Sequence, residues 1–292
     1  ICSKTFYCCP LLTEVTMTNS VISIENYAFC GCSSLTNINI SNSLESIGDY
    51  SFSKCTLLNQ ITLPSSVKSI GIYAFLECSS LKSISIPDSV TSIKCGVFMK
   101  CTSLTEISIP SSLTSIEYDA FNSCSSLNNI TIPSSVKVIN NGAFCNCSLL
   151  SQINNNSTVD CINRNVFADC KSLKQILIPP SVTFLDELSF SGCLSLTKVS
   201  FTKDSKLNLI GNSVFYNCSS LIDIQFPHSL KSIGPCAFSC CSSLQKIIIP
   251  SSVTFIHGNA FYNMASLNQL SIPSSVKVIG RNAFGECPSL EK

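Results

Sequence analysis

Cysteine is the residue of this chain with the widest chemistry, because its thiolate can attack carbonyls, bind zinc or form a disulfide. Of its twenty cysteines, twelve follow a regularly spaced phenylalanine by three residues: Cys9, Cys32, Cys55, Cys78, Cys101, Cys124, Cys147, Cys170, Cys193, Cys218, Cys241 and Cys287. Met264 takes this place in one further unit, and methionine packs but cannot form a disulfide. The position is therefore predicted to hold a small buried hydrophobe, and most or all of the thiols are predicted to be free.

The other eight cysteines show no pairing rule: Cys2, Cys8, Cys30, Cys95, Cys145, Cys161, Cys236 and Cys240. Zinc sites usually combine CxxC pairs with matching partners. This chain instead has close pairs such as Cys30 and Cys32, and only two histidines, His228 and His257. We expect no structural metal and no cofactor.

Sequence motifs of catalysis are also missing. The chain has no GxSxG, Walker loop, GxGxxG or HExxH, and the acidic neighbours Asp186 and Glu187 have no nucleophile near them in sequence. A non-enzyme is predicted. The net charge of +1, with 12% charged residues, argues against nucleic-acid binding. No apolar run approaches the roughly 18 residues of a spanning helix, so no membrane span is predicted in this segment.

The elements that position these residues repeat with the phenylalanines. These are Phe6, Phe29, Phe52, Phe75, Phe98, Phe121, Phe144, Phe167, Phe190, Phe215, Phe238, Phe261 and Phe284. Each step is 23 residues, except the step of 25 from Phe190 to Phe215. The spacing predicts a single array over 1–292 of about 12–13 stacked units. Neither end shows a polar cap, so we expect the interior of a longer protein or a chain without its caps.

Each unit has the same order of local signals. In the unit from Leu58 to Phe75, Ile61 and Leu63 alternate with polar residues, which predicts a short, half-buried, parallel strand. A proline then ends the strand, and a serine two residues later is expected to bond the backbone of a neighbouring turn. The pair Val67/Ile70 predicts a second short strand or an extended segment. The residues from Ala74 to Cys78 are expected to form a turn or a 3₁₀ piece, and the phenylalanines to stack.

The pattern IPxSVxxIxxxAFxxCxSLxxIxIP resembles the BspA-like, or TpLRR, class of leucine-rich repeats, from about Phe6 to Leu290. The resemblance implies a right-handed repeat solenoid, a leucine-rich-repeat horseshoe with a parallel sheet on its concave side. Many members of this family resemble surface adhesins that bind host or matrix proteins. The family supplies no fixed ligand and no catalytic residue.

Partner binding is expected at outward strand positions that do not repeat. In the first two-thirds of the chain these positions are rich in hydroxyl and amide side chains. Exposed aliphatic side chains beside charges are stronger contact candidates, and they occur later in the chain. The predicted partner-binding residues are Gln152, Asn154, Gln175, Leu177, Lys198, Asp223, Gln225, Lys246 and Ile248. The alternative is an ordinary solvated sheet face.

Two stretches depart from the repeat. Near 152–160, Asn155 replaces a buried aliphatic residue and Asn156 replaces the proline. This stretch is either a tolerated degenerate turn or a functional break. A two-residue insertion near 202–206 predicts a charged loop at the proline corner, which is either a neutral loop or a partner contact.

The leading hypothesis is a non-catalytic, adhesin-like, protein-binding solenoid at the cell surface or secreted. The alternative is a cytoplasmic scaffold or cytoskeleton-associated protein, which free thiols favour. A carbohydrate-binding array is a third reading, but the predicted face lacks aromatic platforms for sugars. Six N-x-S/T sequons do not decide the compartment, since a chain rich in Asn, Ser and Thr produces them by chance.

Overall fold

The computed structural model describes residues 1–291, which form strands and turns and no helix. The chain folds into two compact units, residues 1–150 and 151–292. In each unit the strands of successive repeats pair in parallel. The predicted leucine-rich-repeat solenoid is therefore confirmed within each unit, whereas the single array over residues 1–292 stays a prediction.

Each unit has a face of strands that are mostly three or four residues long, which we call the long-strand face. In the first unit its strands are Glu14–Thr16, Asn37–Asn39, Ser83–Ser85, Glu106–Ser108 and Asn129–Ile132. In the second they are Gln152–Asn155, Gln175–Ile178, Lys198–Phe201, Asp223–Ile224, Lys246–Ile248 and Gln269–Ser271. The repeat around Gln60 contributes a single bridge to Ser83. Inward residues such as Ile84 and Ile176 are buried, which confirms the predicted half-buried strand.

A second ladder of two-residue strands lies further along each repeat. Its members in the first unit are Ser23–Ile24, Ser46–Ile47, Ser69–Ile70, Ser92–Ile93, Ser115–Ile116 and Val138–Ile139. In the second unit they are Cys161–Ile162, Phe184–Leu185, Leu209–Ile210, Ser232–Ile233, Phe255–Ile256 and Val278–Ile279. The second strand predicted from Val67 and Ile70 is confirmed, although it begins only at Ser69.

A third ladder runs through the turns around the phenylalanines. In the first unit, the amides of Tyr27, Phe29 and Gly31 donate to carbonyls of the next repeat at 2.8–2.9 Å. The residues two before and two after the phenylalanine have positive φ, for example Tyr50 at 54° and Lys54 at 61°. Turns of this kind, rather than the 3₁₀ alternative, fill the segment after each short strand. Their left-handed residues aim alternate amides at the neighbouring repeat.

The phenylalanine rings form the centre of each core. In the first unit, neighbouring rings from Phe6 to Phe144 stack with centroids 5.1–5.7 Å apart. In the second, the rings from Phe167 to Phe284 stack at 5.1–5.5 Å. The predicted aromatic stack is therefore confirmed within each unit, and its interior members are fully buried.

The repeated cysteines lie beside this stack, and those of the inner repeats are buried as predicted. These cysteines also form hydrogen bonds, which the prediction of a small buried hydrophobe did not include. Thiols of this column donate to the carbonyl of the phenylalanine one repeat earlier, as Cys55 does to Phe29 at 3.2 Å and Cys193 to Phe167 at 3.2 Å. Met264 has no S–H donor, so its neighbour Phe238 receives no such bond.

Most corner serines bond the preceding repeat as expected. Ser66 Oγ donates to the Leu44 carbonyl at 2.6 Å, and Ser229 Oγ to the Leu207 carbonyl at 2.7 Å. The hydroxyls of Ser135 and Ser252 have no partner among the described residues, so the rule is not universal. Serine at this corner satisfies backbone carbonyls that the proline turn leaves open.

The degenerate repeat near 152–160 forms its corner with a side-chain hydrogen bond instead of a proline. Asn155 Oδ1 accepts bonds from the amide of Ser157 at 3.1 Å and from its hydroxyl at 2.5 Å. This local turn takes the place of the proline corner. Asn155 Nδ2 is buried without a partner among the described residues, so the amide replaces the aliphatic side chain at a cost in stability.

Candidate partner-binding surface

The structure places the predicted partner-binding residues on the long-strand face of the second unit. All are exposed except Asp223, which is half-buried. Gln175 pairs with Lys198, and Lys198 with Asp223, so these three form one row across adjacent strands. The strand of Lys246 pairs with that of Gln269 in a separate ladder. The strand register brings the first three residues together and leaves Lys246 and Ile248 apart from them.

Two aliphatic side chains stand out on this face. Leu177 is 55% exposed and Ile248 is 57% exposed. They lie three repeats apart, on the separate ladders that contain Gln175–Ile178 and Lys246–Ile248. Ile222 lies between them in sequence, directly before its strand, and is 61% exposed. Sequence reasoning missed Ile222 because it lies outside the two alternating positions of the strand.

The same face of the first unit has a different character. Its outward residues are mostly hydroxyl and amide side chains, with Glu14 and Glu106 as acidic members. A depression of about 400 Å³ there is lined by Asn37, Asn39, Asn42, Gln60 and Thr62 together with backbone and aliphatic groups. None of its lining residues is charged.

Two depressions lie on the long-strand face of the second unit. One, of about 540 Å³, is lined by residues that include Gln152, Asn154, Gln175 and Leu177, four of the predicted contacts. The other, which we call the insertion depression, has about 340 Å³. It is lined by Lys198, Val199, Ser200, Phe201, Thr202, Lys203, Asp223, Gln225, Phe226, Pro227 and His228.

The two-residue insertion builds one wall of the insertion depression. The Ser205 amide donates to the Thr202 carbonyl at 3.1 Å, which closes a tight turn. The Lys206 amide then bonds the Pro180 carbonyl at 3.3 Å. Lys203 and Asp204 at the tip are exposed, so the predicted charged loop at the corner is confirmed. Its role in partner contact stays a prediction.

A tyrosine column in the first unit was also missed. The rings of Tyr27 and Tyr50, and those of Tyr50 and Tyr73, stack with centroids 5.0 Å apart. Lys4 Nζ lies 5.8 Å from the Tyr27 ring centroid. The Cys95 thiol lies 3.5 Å from the Tyr73 hydroxyl, and this hydrogen bond, together with burial, raises the pKa of Tyr73 to about 12. The spacing of 23 between these tyrosines was the available signal.

The short-strand ladder has a second unpredicted contrast. Its first position is serine in the five repeats from Ser23 to Ser115. In the second unit that position holds mainly apolar side chains, including Phe184, Leu209 and Phe255. The Phe255 ring contacts that of His257, with centroids 4.5 Å apart. Residues that differ between repeats therefore distinguish the two units both on the long-strand face and along the short-strand ladder.

The described residues contain no group of three or more metal-binding side chains placed to hold an ion. They also contain no helix long and apolar enough to cross a membrane. His228 lines the insertion depression, whereas His257 packs against Phe255.

Comparison with known proteins identifies the repeat. A model described as BspA type leucine rich repeat region matches in six copies, over residues 1–101, 91–208 and 189–292. A leucine-rich repeat protein from Bacteroides ovatus is 32% identical, with a TM-score of 0.80, over 100% of this chain and 80% of that one. A leucine rich cell surface protein from Faecalibacterium prausnitzii is 29% identical, with a TM-score of 0.61, over 99% and 80%. No curated protein matches the chain in sequence.

Proposed function

Because the chain belongs to the BspA type leucine-rich repeat family, whose proteins are typically protein-interaction or surface proteins, we propose that it is a non-catalytic protein-binding module. Its partner docks on the long-strand face of the second unit. The contact residues are Gln152, Asn154, Gln175, Leu177, Lys198, Asp223, Gln225, Lys246 and Ile248.

The exposure of Leu177 and Ile248 carries this proposal. A solvated sheet face normally presents polar side chains outward, yet these outward positions hold aliphatic groups more than half exposed. Lys198 and Lys246 flank them on the same face. Aliphatic anchors surrounded by charges are typical of protein contact surfaces, where the anchor gives affinity and the charges give orientation.

We further propose an adhesin-like role at the cell surface. The similarity to a leucine rich cell surface protein from Faecalibacterium prausnitzii supports this location. An intracellular scaffold or cytoskeleton-associated role is the alternative. Mapping of glycans and disulfides on the native protein separates the two, with the exposed sequon residues Asn39, Asn129, Asn146, Asn156 and Asn217 as the places to look.

A pull-down with the Leu177→Asp/Ile248→Asp double variant tests the contact surface. Burying either new carboxylate against an apolar partner surface is costly, so we expect capture of the partner to fall at least about tenfold. The matched control is Thr16→Asp/Ser85→Asp, which adds the same charges three repeats apart on the long-strand face of the first unit. Equal capture by the two double variants would remove the proposed surface.

A further inference from the structure

The insertion depression differs in charge from the depression at the corresponding strand position of the first unit. The depression around Asn37 and Gln60 is lined by amide, hydroxyl and apolar groups without any charge. The insertion depression is lined by two lysines, Lys198 and Lys203, by His228 and by one carboxylate, that of Asp223. Lys203 holds the place that Asn42 has in the first-unit depression, and it lies in the segment that carries the two-residue insertion.

The two ammonium groups are not committed to other carboxylates. Within residues 1–291 the ion pairs at 4.0 Å or less are Lys68–Glu45, Lys100–Glu77 and Arg164–Glu187. Lys198 pairs through its backbone with Asp223, but their side chains form no ion pair among the described residues. Lys198 and Lys203 are both exposed. The local excess of cations favours an anionic ligand, and charge-assisted hydrogen bonds are the strong ones.

The depression also has an aromatic wall. Phe201 and Phe226 occupy the strand position that holds the buried Ile178 and Ile249 in other repeats of this unit. Both phenylalanines are only half-buried and line the depression. The Phe226 ring packs edge-on against the buried Phe238 ring, with centroids 5.5 Å apart, which holds it in place.

One polar atom of this wall lacks a partner. Thr202 takes the place of the corner proline, and its Oγ1 makes no hydrogen bond among the described residues. Most buried hydroxyls in proteins are satisfied. Thr202 therefore marks the wall of the depression as a place where a bound polar group would satisfy a hydrogen bond after a small rearrangement.

We propose that the insertion depression binds an aromatic ring that carries an oxyanion, such as the side chain of phosphotyrosine or sulfotyrosine. Its volume of about 340 Å³ lies at the small end of the range for small-molecule sites. Lys198 and Lys203 neutralise the oxyanion, and the phenylalanines contact the ring. The proposal deepens the proposed function and rests on it for the source of this group, a partner protein.

Ligand-observed NMR titration of the whole chain tests the site without any partner. The probes are phosphotyrosine amide, sulfotyrosine amide, tyrosine amide and inorganic phosphate. We expect the best of the modified amides to bind at least about tenfold more tightly than tyrosine amide or phosphate, since it alone combines anion and ring. The relative affinities of phosphotyrosine and sulfotyrosine then identify the oxyanion. Because no partner protein is present in the titration, its result can be interpreted even if the Leu177/Ile248 pull-down fails.

Matched variants locate the binding. Lys203→Gln and Lys198→Gln are each expected to weaken binding about tenfold, the usual effect of losing one charge-assisted hydrogen bond. Lys277→Gln removes an exposed lysine of the second unit outside the depression and outside the proposed contact residues, and is expected to change nothing. Phe226→Leu is expected to weaken binding severalfold, with Phe255→Leu as control and thermal unfolding to verify that each variant is folded.

Three results would overturn the inference. Tyrosine amide binding as tightly as both modified amides removes the anion site. Phosphate binding as tightly as phosphotyrosine removes the aromatic wall. Unchanged binding to Lys203→Gln shows that the insertion plays no part.

Discussion

At the scale of single residues, the repeated cysteine joins two neighbouring repeats. The Phe75 carbonyl accepts the amide of Cys78 at 3.1 Å and the thiol of Cys101 at 3.1 Å. Alanine or valine would fill part of the space but would leave this second bond unmade. Cysteine therefore supplies two properties that this position uses, a small apolar volume and a weak hydrogen-bond donor.

Replacing one buried thiol should be measurable. Cys101→Ala removes the bond to Phe75 and leaves a small cavity, so we expect the free energy of unfolding to fall by about 1–2 kcal/mol. Chemical denaturation of the variant and of Cys2→Ala, an exposed site, provides the comparison. A Cys101→Ala variant as stable as Cys2→Ala would show that the thiol contributes only filler volume.

The sequence predicted burial of this column but not its hydrogen bond. Met264 and the regular spacing were enough to identify an apolar site. Which carbonyl faces the thiol depends on the turn around the phenylalanine of the previous repeat, and no residue type announces that turn. Prediction of the partner-binding surface had the same limit. Strand alternation was enough to predict which contact residues are exposed, but it did not predict Ile222 or the aromatic wall of the insertion depression.

At the scale of elements, the turn ladder was the part of the fold hardest to anticipate. Its left-handed positions are filled by residues such as Tyr50, Lys54, Glu77 and Leu188. These types rarely adopt positive φ, so local propensity argued against the observed geometry. The amides of the ladder gain partners in the next repeat, and this compensates for the strain of the left-handed residues. The two strands, by contrast, followed directly from alternation.

Gly96 lies against the ring of Tyr73, the last ring of the tyrosine column, so its substitution tests whether that ring constrains the turn ladder. Its φ is 58°, and a Cβ there would overlap the ring of Tyr73. We expect Gly96→Ala to lower the free energy of unfolding by about 1–3 kcal/mol, from left-handed strain and from displacement of the ring.

A double-variant cycle separates these two causes. In a Tyr73→Ala background the ring is absent, so Gly96→Ala should cost only about 1 kcal/mol, the left-handed part. Denaturation of the four proteins gives the coupling. Equal costs in both backgrounds would mean that the ring exerts no steric constraint on Gly96.

At the scale of the whole molecule, the same repeat supports surfaces of different kinds. Residues 1–150 present hydroxyl and amide groups on the long-strand face and a tyrosine column elsewhere. Residues 151–291 present exposed aliphatic groups, lysines and the insertion depression. The division between units falls directly before the degenerate repeat. The period and the core were predictable because the same residue types recur in every repeat. The surface residues differ from one repeat to the next, so no pattern predicts their chemistry.

The many buried thiols make stability of the chain depend on alkaline pH. Burial raises the pKa of Cys32 to about 11 and raises those of Cys78, Cys101 and Cys124 well above the usual value of 9.0. In the folded state these thiols keep their protons, whereas the unfolded chain releases them near the usual value. Their contribution is therefore fully present below about pH 9 and is lost as pH rises toward 11 and beyond.

We expect the urea midpoint of unfolding to fall between about pH 8 and pH 10. The Cys101→Ala variant should show a smaller fall, since it has one such thiol fewer. A thiol titration under denaturing, non-reducing conditions is the control, because the effect requires free thiols. A midpoint that is constant or rises over this range would contradict the assignment.

The one-way bonding of the turn ladder also gives that ladder an electrical polarity. In strands, alternate peptide groups point in opposite directions and their dipoles largely cancel. In the turn ladder, the amides of Asn165, Phe167 and Asp169 all point toward the next repeat, whose carbonyls point back. Aligned peptide dipoles add, as they do along a helix. Within the turn ladder the positive end of this sum lies toward later repeats, whereas amides beside the short strands, such as those of Thr183 and Asp186, point toward the earlier repeat and oppose it.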